Sequence, residues 1–165
     1  PAGGLIFYDK GSVSDGWRYL EAAPSDHSTR IEWITGGSTQ TTLNGNTSTE
    51  LGTGQANTNA MKAQTDYTGG AAKVCDDYSV TVGSITYNDW FLPSKDELNK
   101  MWVNLKKGTD ENGATYEPVG GFVDGSYWSS SEYDAYDAWT QGFNDGSQGV
   151  NDKDDTDRVR AVRAF

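Results

Sequence analysis

Short apolar runs alternate with polar, glycine-rich stretches along most of the chain, and one segment only carries a clean helical period. Leu5-Ile6-Phe7-Tyr8 is an apolar run closed by Asp9-Lys10-Gly11, which predicts a strand followed by a turn. Trp17-Arg18-Tyr19-Leu20-Glu21-Ala22 alternates bulky and polar side chains and stops before Pro24, predicting a second strand. Ile31-Glu32-Trp33-Ile34 predicts a third. Residues 36–54 are mostly Gly, Thr, Asn and Ser and read as a long surface loop without assigned chemistry.

Two helical stretches follow. Between Gln55 and Tyr67, the residues Ala56, Ala60, Ala63 and Tyr67 fall roughly on one face, and Ala71 to Tyr78 continues as a second short helix after Gly69-Gly70. Trp90-Phe91-Leu92 reads as a buried strand or turn. Ser94-Lys95-Asp96-Glu97 then has the form of a capping box: the Ser94 hydroxyl accepts from the Glu97 N–H, and the Glu97 carboxylate accepts from the Ser94 N–H. Leu98, Met101, Trp102 and Leu105 stand at i, i+3, i+4 and i+7, one apolar helical face. Lys106 and Lys107 suit the negative helix end, and Gly108 is placed to terminate it. This helix reads as scaffold.

Residues 109–126 form another glycine-rich loop. Tyr127-Trp128-Ser129 and Ala138-Trp139-Thr140-Gln141-Gly142-Phe143 predict strands, with Trp139, Gln141 and Phe143 on one face. Asp145-Gly146 predicts a hairpin into Gln148-Gly149-Val150, since such turns need positive φ. Val159 to Phe165 closes the chain as a strand.

The tract from Tyr133 to Asp157 changes the picture from scaffold to surface. It is built almost wholly of Asp, Gly, Asn, Ser, Thr, Ala and Tyr, with Trp139, Gln141, Phe143 and Gln148 standing out. Its seven Asp and single Lys give a local charge of about −6. Tyr supplies amphipathic contact area at low entropic cost, and Ser, Gly and Asn adapt their hydrogen bonds. Between packed strands, such a tract reads as a recognition surface, with Tyr133 and Tyr136 as contact anchors. A solvated acidic loop is the plainer alternative.

At 165 residues the chain is read as one domain, 1–165, long enough for a real core. A net charge of −11 repels phosphate backbones and anionic membrane surfaces, so nucleic acid is not an expected partner. The single Cys75 forms no internal disulfide and reads as a small buried hydrophobe rather than a nucleophile. With His27 as the one histidine, a structural zinc site and Ser-His-Asp or Cys-His catalysis have no supporting motif. Asn151-Asp152-Lys153-Asp154-Asp155-Thr156-Asp157 lacks the order of an EF-hand loop and reads as an exposed acidic loop. No cofactor, metal site or catalytic residue is expected. No apolar run spans a bilayer and no signal peptide is present, so no direct membrane insertion by this segment is expected. The abrupt start at Pro1-Ala2-Gly3-Gly4 is consistent with a leader or upstream domain having been removed.

Several of these segments together carry a family resemblance. They are Gly3-Gly4-Leu5-Ile6-Phe7-Tyr8-Asp9-Lys10-Gly11, Gly16 to Pro24, Trp90-Phe91-Leu92-Pro93-Ser94-Lys95-Asp96-Glu97-Leu98, Tyr127-Trp128-Ser129-Ser130-Ser131-Glu132 and Arg158 to Phe165. In combination they resemble the variable proteins of diversity-generating retroelements. The resemblance implies an α+β, C-type-lectin-like fold of the formylglycine-generating-enzyme subtype. That fold has two main helices, short antiparallel strands, long irregular loops, and paired N- and C-terminal strands, with the Leu5 strand as partner of the last.

In that family, error-prone reverse transcription of a template repeat rewrites a C-terminal variable region, here about 128–165. Adenine-targeted Asn codons become many residues but not Lys, Glu, Gln, Trp or Met. The resemblance therefore implies that Trp139, Gln141, Gln148 and Lys153 are fixed framework, and Trp128 and Phe143 are read as framework beside them. The implied ligand-binding, diversified positions are Tyr133, Asp134, Ala135, Tyr136, Asp137, Thr140, Gly142, Asn144, Asp145, Ser147, Gly149, Val150, Asn151, Asp152, Asp154, Asp155, Thr156 and Asp157.

The function implied is non-enzymatic binding of an unknown protein or surface ligand, displayed at a cell surface or on a virion. Two alternatives remain: a lectin-like carbohydrate- or protein-binding domain of fixed specificity, and an enzyme related to the formylglycine-generating enzyme. The lone Cys75 departs from that enzyme's cysteine chemistry. Glu117-Pro118-Val119 and Phe143-Asn144-Asp145 match calcium-dependent sugar-binding motifs only in part.

Overall fold

The computed structural model describes residues 1–110 and 112–165; Glu111, within the predicted 109–126 loop, lies outside the described residues. The element order is β1 (Leu5–Ser14), β2 (Trp17–Ala22), β3 (Ser28–Glu32), α1 (Gly54–Lys62), α2 (Ala71–Asp76), β4 (Val80–Val82), β5 (Ile85–Tyr87), α3 (Lys95–Met101), β6 (Ser126–Glu132), β7 (Asp137–Gly142), β8 (Gln148–Asp152), β9 (Thr156–Val159) and β10 (Val162–Ala164). The mixture of helices and mainly antiparallel strands is the α+β, C-type-lectin-like architecture expected.

A three-stranded sheet runs β1-β2-β10, and a five-stranded sheet runs β3-β9-β6-β7-β8, leaving β8 at an edge. Pairing in the large sheet is antiparallel except where Tyr127 meets Arg158 between β6 and β9. The C-terminal strand does join the N-terminal hairpin, but its partner is β2 rather than the Leu5 strand, which pairs on the other side of β2. Burial explains the order: Leu20, Glu21 and Ala22 of β2 are fully enclosed, as a central strand requires. The Phe165 carbonyl accepts from the N–H groups of Arg18 and Tyr19, tying the chain end to the same strand.

The turn expected at Asp9-Lys10-Gly11 is instead an irregularity within a longer β1. The Asp9 carboxylate accepts from the Gly11 N–H at 2.7 Å and holds Arg18 across the hairpin. The chain reverses at Asp15-Gly16, both at positive φ (53° and 83°), the conformation a tight hairpin needs. The Leu5–Tyr8 periodicity could not show how far β1 continues, because its distal half is solvent-exposed on both faces.

The face of α1 also differs from expectation. Gly54, Asn57, Thr58 and Met61 are buried, whereas Ala56 and Ala63 are exposed. Polar side chains are buried there because each has a backbone or side-chain partner. Asn57 accepts from the Ser48 N–H (2.8 Å) and donates to the Ser48 carbonyl (2.7 Å) and the Ser130 hydroxyl (3.1 Å). The Thr58 hydroxyl accepts from the Leu92 N–H.

The capping box at Ser94 and Glu97 is present in both directions. The helix does not run unbroken to Gly108, however: Trp102–Lys106 widen into a π-helical turn closed by Lys107 N–H to the Trp102 carbonyl. Gly108 then takes φ 84°. Two apolar clusters fill the interior. One gathers Trp33, Ile34, Met61, Cys75, Trp90, Leu92, Trp128 and Val159. The other gathers Phe7, Leu20, Phe91, Leu98, Met101, Leu105, Tyr127 and Phe143. Reciprocal indole bonds join β6 to the end of β3: Trp33 Nε1 donates to the Ser129 carbonyl and Trp128 Nε1 to the Ile31 carbonyl, both at 2.7 Å.

Candidate ligand-binding surface

The surface is laid over β6, whose polar run is structural. Ser129, Ser130 and Ser131 are buried. The Ser129 hydroxyl donates to the Trp139 carbonyl (2.8 Å), and the Ser131 hydroxyl to the Ser48 carbonyl (2.7 Å) while accepting from the Lys95 N–H (3.0 Å). Glu132 accepts from the N–H groups of Asn44 and Gly45, and its own N–H donates to the Thr47 hydroxyl. The 36–54 segment is therefore fastened to β6 by its backbone. Sequence reasoning missed this role because Ser, Thr and Asn there carry no periodicity; the adjacent Ser129–Glu132 run was the available signal.

Lys153 closes the arrangement. Its ammonium is fully buried 2.6 Å from the Glu132 carboxylate, itself 2 % exposed. It also donates to the carbonyls of Ala135 (2.9 Å) and Thr42 (3.3 Å), and the Lys153 N–H donates to the Tyr136 carbonyl. One cation inside an acidic tract thus pins the β6–β7 turn, the β8–β9 turn and the 36–54 segment together.

Four of the six framework positions are enclosed. Trp128, Gln141, Phe143 and Lys153 are buried; Trp139 and Gln148 are half-buried. Trp139 packs edge-on against Tyr133 at 5.2 Å between ring centroids, with the Lys95 ammonium 4.8 Å from its ring. Gln148 donates to the Lys95 carbonyl, and Gln141 to the Gly146 carbonyl. Phe143 packs between Phe122 and Tyr127.

Most of the candidate contact positions are exposed. Tyr133 (55 %), Tyr136 (60 %), Asn144, Asp145, Ser147, Gly149, Val150, Asp152, Asp154, Asp155 and Thr156 are exposed. Asp134, Ala135, Asp137, Gly142, Asn151 and Asp157 are half-buried. Thr140 is only 5 % exposed, enclosed in the central part of β7. Three groups result. Tyr136, Asp152 and Asp154 line a cleft of about 260 Å³ with Gln40 and Thr41. Asn144, Asp145 and Ser147 occupy the β7–β8 turn, where Gly146 at φ 79° lies against the Trp102 ring. The expected hairpin is present, but positive φ is confined there to Gly146 and Asp145 lies outside that region. Thr156 and Asp157 line a third region beside Arg158.

Hydrogen bonding and desolvation shift two carboxyl groups of this tract in opposite directions. The Asp134 carboxylate accepts from the N–H groups of Tyr136 (2.8 Å) and Asp137 (2.9 Å), which lowers its pKa. Asp137 stands opposite Asp152 across β7–β8, and desolvation, followed by its hydrogen bond with Asp152, raises its pKa. Asp145 is lowered by the N–H and hydroxyl of Ser147. Among the described residues no group of His, Cys, Asp and Glu is arranged to hold a metal ion. Cys75 is enclosed, and burial raises its thiol pKa well above the usual range. His27 lies against Tyr78, and burial, then the Arg160 charge, lowers its pKa to about 4.

The profile of the Lcl C-terminal domain family matches residues 23–163. The chain belongs to the Lcl C-terminal domain family. That membership agrees with the motif resemblance and supports a variable protein of the diversity-generating-retroelement type, a ligand-binding lectin-like domain in general terms. No curated protein matches the sequence. The Lcl-family match takes in β3 through most of β10, and so the entire surface described above. No helix among the described residues is long and apolar enough to cross a membrane.

Proposed function

We propose that this Lcl-family chain is a single non-enzymatic binding domain whose C-terminal region, about 128–165, presents a diversified recognition surface. The observation that carries the reading is the partition of side chains. Of the residue types that adenine mutagenesis of Asn codons cannot produce, Gln141 and Lys153 are buried, and Trp139 and Gln148 are half-buried and held by Tyr133 and the Lys95 carbonyl. The positions open to it are exposed or half-buried apart from Thr140. Tyr133 and Tyr136 serve as contact anchors, held by the β6 framework as a preorganised site requires. A protein or surface ligand fits a net charge of −11 better than nucleic acid does, and display at a cell surface or on a virion follows from such a role. The buried Cys75 thiol, held protonated, counts against cysteine-based catalysis.

Sequencing the DNA flanking the gene tests the proposal. The expected result is a near-copy of the codons for residues 128–165, differing at its adenines, with a reverse transcriptase gene close by. Without that copy, the surface is a fixed-specificity binding site and the diversified positions fall.

A further inference from the structure

The chain has five arginines, and three are committed to carboxylates: Arg18 to Asp9, Arg160 to Asp26, and Arg163 to Glu21 and Asp89. Arg30 and Arg158 have no such ion pair among the described residues, and both line the same open cleft of about 570 Å³. Arg30 comes from the irregular part of β3, between its Ser28 and Ile31 pairings, and Arg158 from β9. Thr29, Ser126 and Thr156 add hydroxyls to the wall. Arg158 is incompletely satisfied: its Nε is buried without a partner, and Nη1 reaches the Thr29 carbonyl only at 3.4 Å. A Cβ at Gly125 (φ 137°) would stand 3.6 Å from that Nε. The one carboxylate in the lining, Asp157, is engaged by the Asn151 amide at 2.7 Å.

Two guanidinium groups without a carboxylate ion pair among the described residues, in a chain of net charge −11, offer an anion a paired docking point. We infer that the Arg30–Arg158 cleft binds a carboxylate group of a ligand. A polyanion is disfavoured, because Asp154, Asp155 and Asp157 repel every further negative charge, whereas a single carboxylate on an otherwise neutral or basic ligand meets both arginines. Thr156 and Asp157 of the wall are among the proposed diversified positions but neither arginine is, so this site goes beyond the diversification reading and does not depend on it.

Titration of the whole protein, followed by NMR of the backbone amides of Gly125 and Ser126 and the side-chain Nε–H of Arg30, tests it. The probes are N-acetylglycine for a chain-terminal carboxylate, N-acetylaspartate amide for a side-chain carboxylate, N-acetylglycinamide as uncharged control, and inorganic phosphate. A saturable shift with either carboxylate is expected, weakened about tenfold or more by Arg30→Gln, an exposed residue whose loss leaves the fold intact. Asp157→Asn should tighten binding severalfold by removing the repelling charge, an effect no loss of structure can mimic. The tighter of the two carboxylate probes names the source. No saturable shift, equal response to the amide control, tighter binding of phosphate, or indifference to Arg30→Gln would each overturn the inference. None of those results bears on whether a template copy flanks the gene.

Discussion

Replacing Lys153 with Met removes a cation that no solvent can substitute. Its ammonium is wholly enclosed with three acceptors within 3.3 Å: the Glu132 carboxylate and the carbonyls of Ala135 and Thr42. Methionine fills much of the volume but leaves Glu132 as a buried charge held only by the Asn44 and Gly45 N–H groups. Breaking a buried pair from one side costs about 3–5 kcal/mol, a large part of the ~5–15 kcal/mol available to a domain. At roughly 2–4 °C per kcal/mol for a chain of this size, the melting temperature should fall by roughly 6–20 °C. Urea titration followed by tryptophan fluorescence measures the loss, with Trp33 as a reporter 5.1 Å from the ammonium. Adding Glu132→Gln should recover about 1–2 kcal/mol, since the charge is gone while the side-chain carbonyl still accepts from Asn44 or Gly45. Lys62→Met, at a partly exposed pair with Asp76, should cost under about 1 kcal/mol. A Lys153→Met loss below about 1 kcal/mol, or a double variant no more stable than the single, would refute the role assigned to this lysine.

Two further expectations concern pH and backbone. Burial pushes Glu97 up to about 7 despite N–H donors from Ser94, Gly52 and Gly54, so its contribution is fully present below about pH 4.5 and lost as pH rises to 7. His27, lowered to about 4, has the opposite sign: its neutral form is fully accommodated above about pH 6.5, and stability falls as pH drops towards 4. The two oppose each other between pH 4.5 and 6.5. In denaturant titrations, Glu97→Gln should therefore raise the slope of stability against pH and His27→Gln should lower it; unchanged slopes would contradict both assignments. Glu97 corresponds to about 3 kcal/mol across its window, and the more exposed His27 to about half as much after screening. Gly146→Ala combines positive φ with overlap of the Trp102 ring and should cost more than about 2 kcal/mol by thermal melting. Gly149→Ala, whose Cβ meets nothing nearer than the Thr140 hydroxyl at 3.9 Å, should stay within about 1 kcal/mol.

What could be read from the sequence was whatever depends on near neighbours. The Ser94–Glu97 box, the apolar face of α3 and the Trp17–Ala22 strand each rest on a spacing of a few residues, and each is present. The face of α1 was misread because a hydrophobicity rule ranks Ala above Asn and Thr, while Asn57 and Thr58 are buried by bonds to residues 9 to 73 positions away. The partner of the last strand was misjudged for a similar reason. Leu5–Tyr8 and Trp17–Ala22 are both apolar enough to pair, and only the enclosure of β2 from both sides decides between them. At the surface, the expected contact positions are exposed or half-buried except Thr140, a small polar residue indistinguishable in sequence from its exposed neighbours. The 36–54 segment was invisible as a support because its contribution to Glu132 comes largely from main-chain N–H groups, which every residue has.

The position of β8 at the rim of the five-stranded sheet sets a solubility condition on the whole repertoire such a surface could hold. An open strand is a template for another chain, and Gly149 and Val150 sit on it facing solvent. Under the proposed diversification, each rewriting of those positions is a fresh opportunity for two copies to zip together along this rim. Asp152 at the end of the strand, Asp154 and Asp155 just beyond it, and the negative charge of the chain as a whole make two identical rims repel. The acidity of the chain therefore acts as a general safeguard, letting individual side chains change without each new version having to be checked against its own copies.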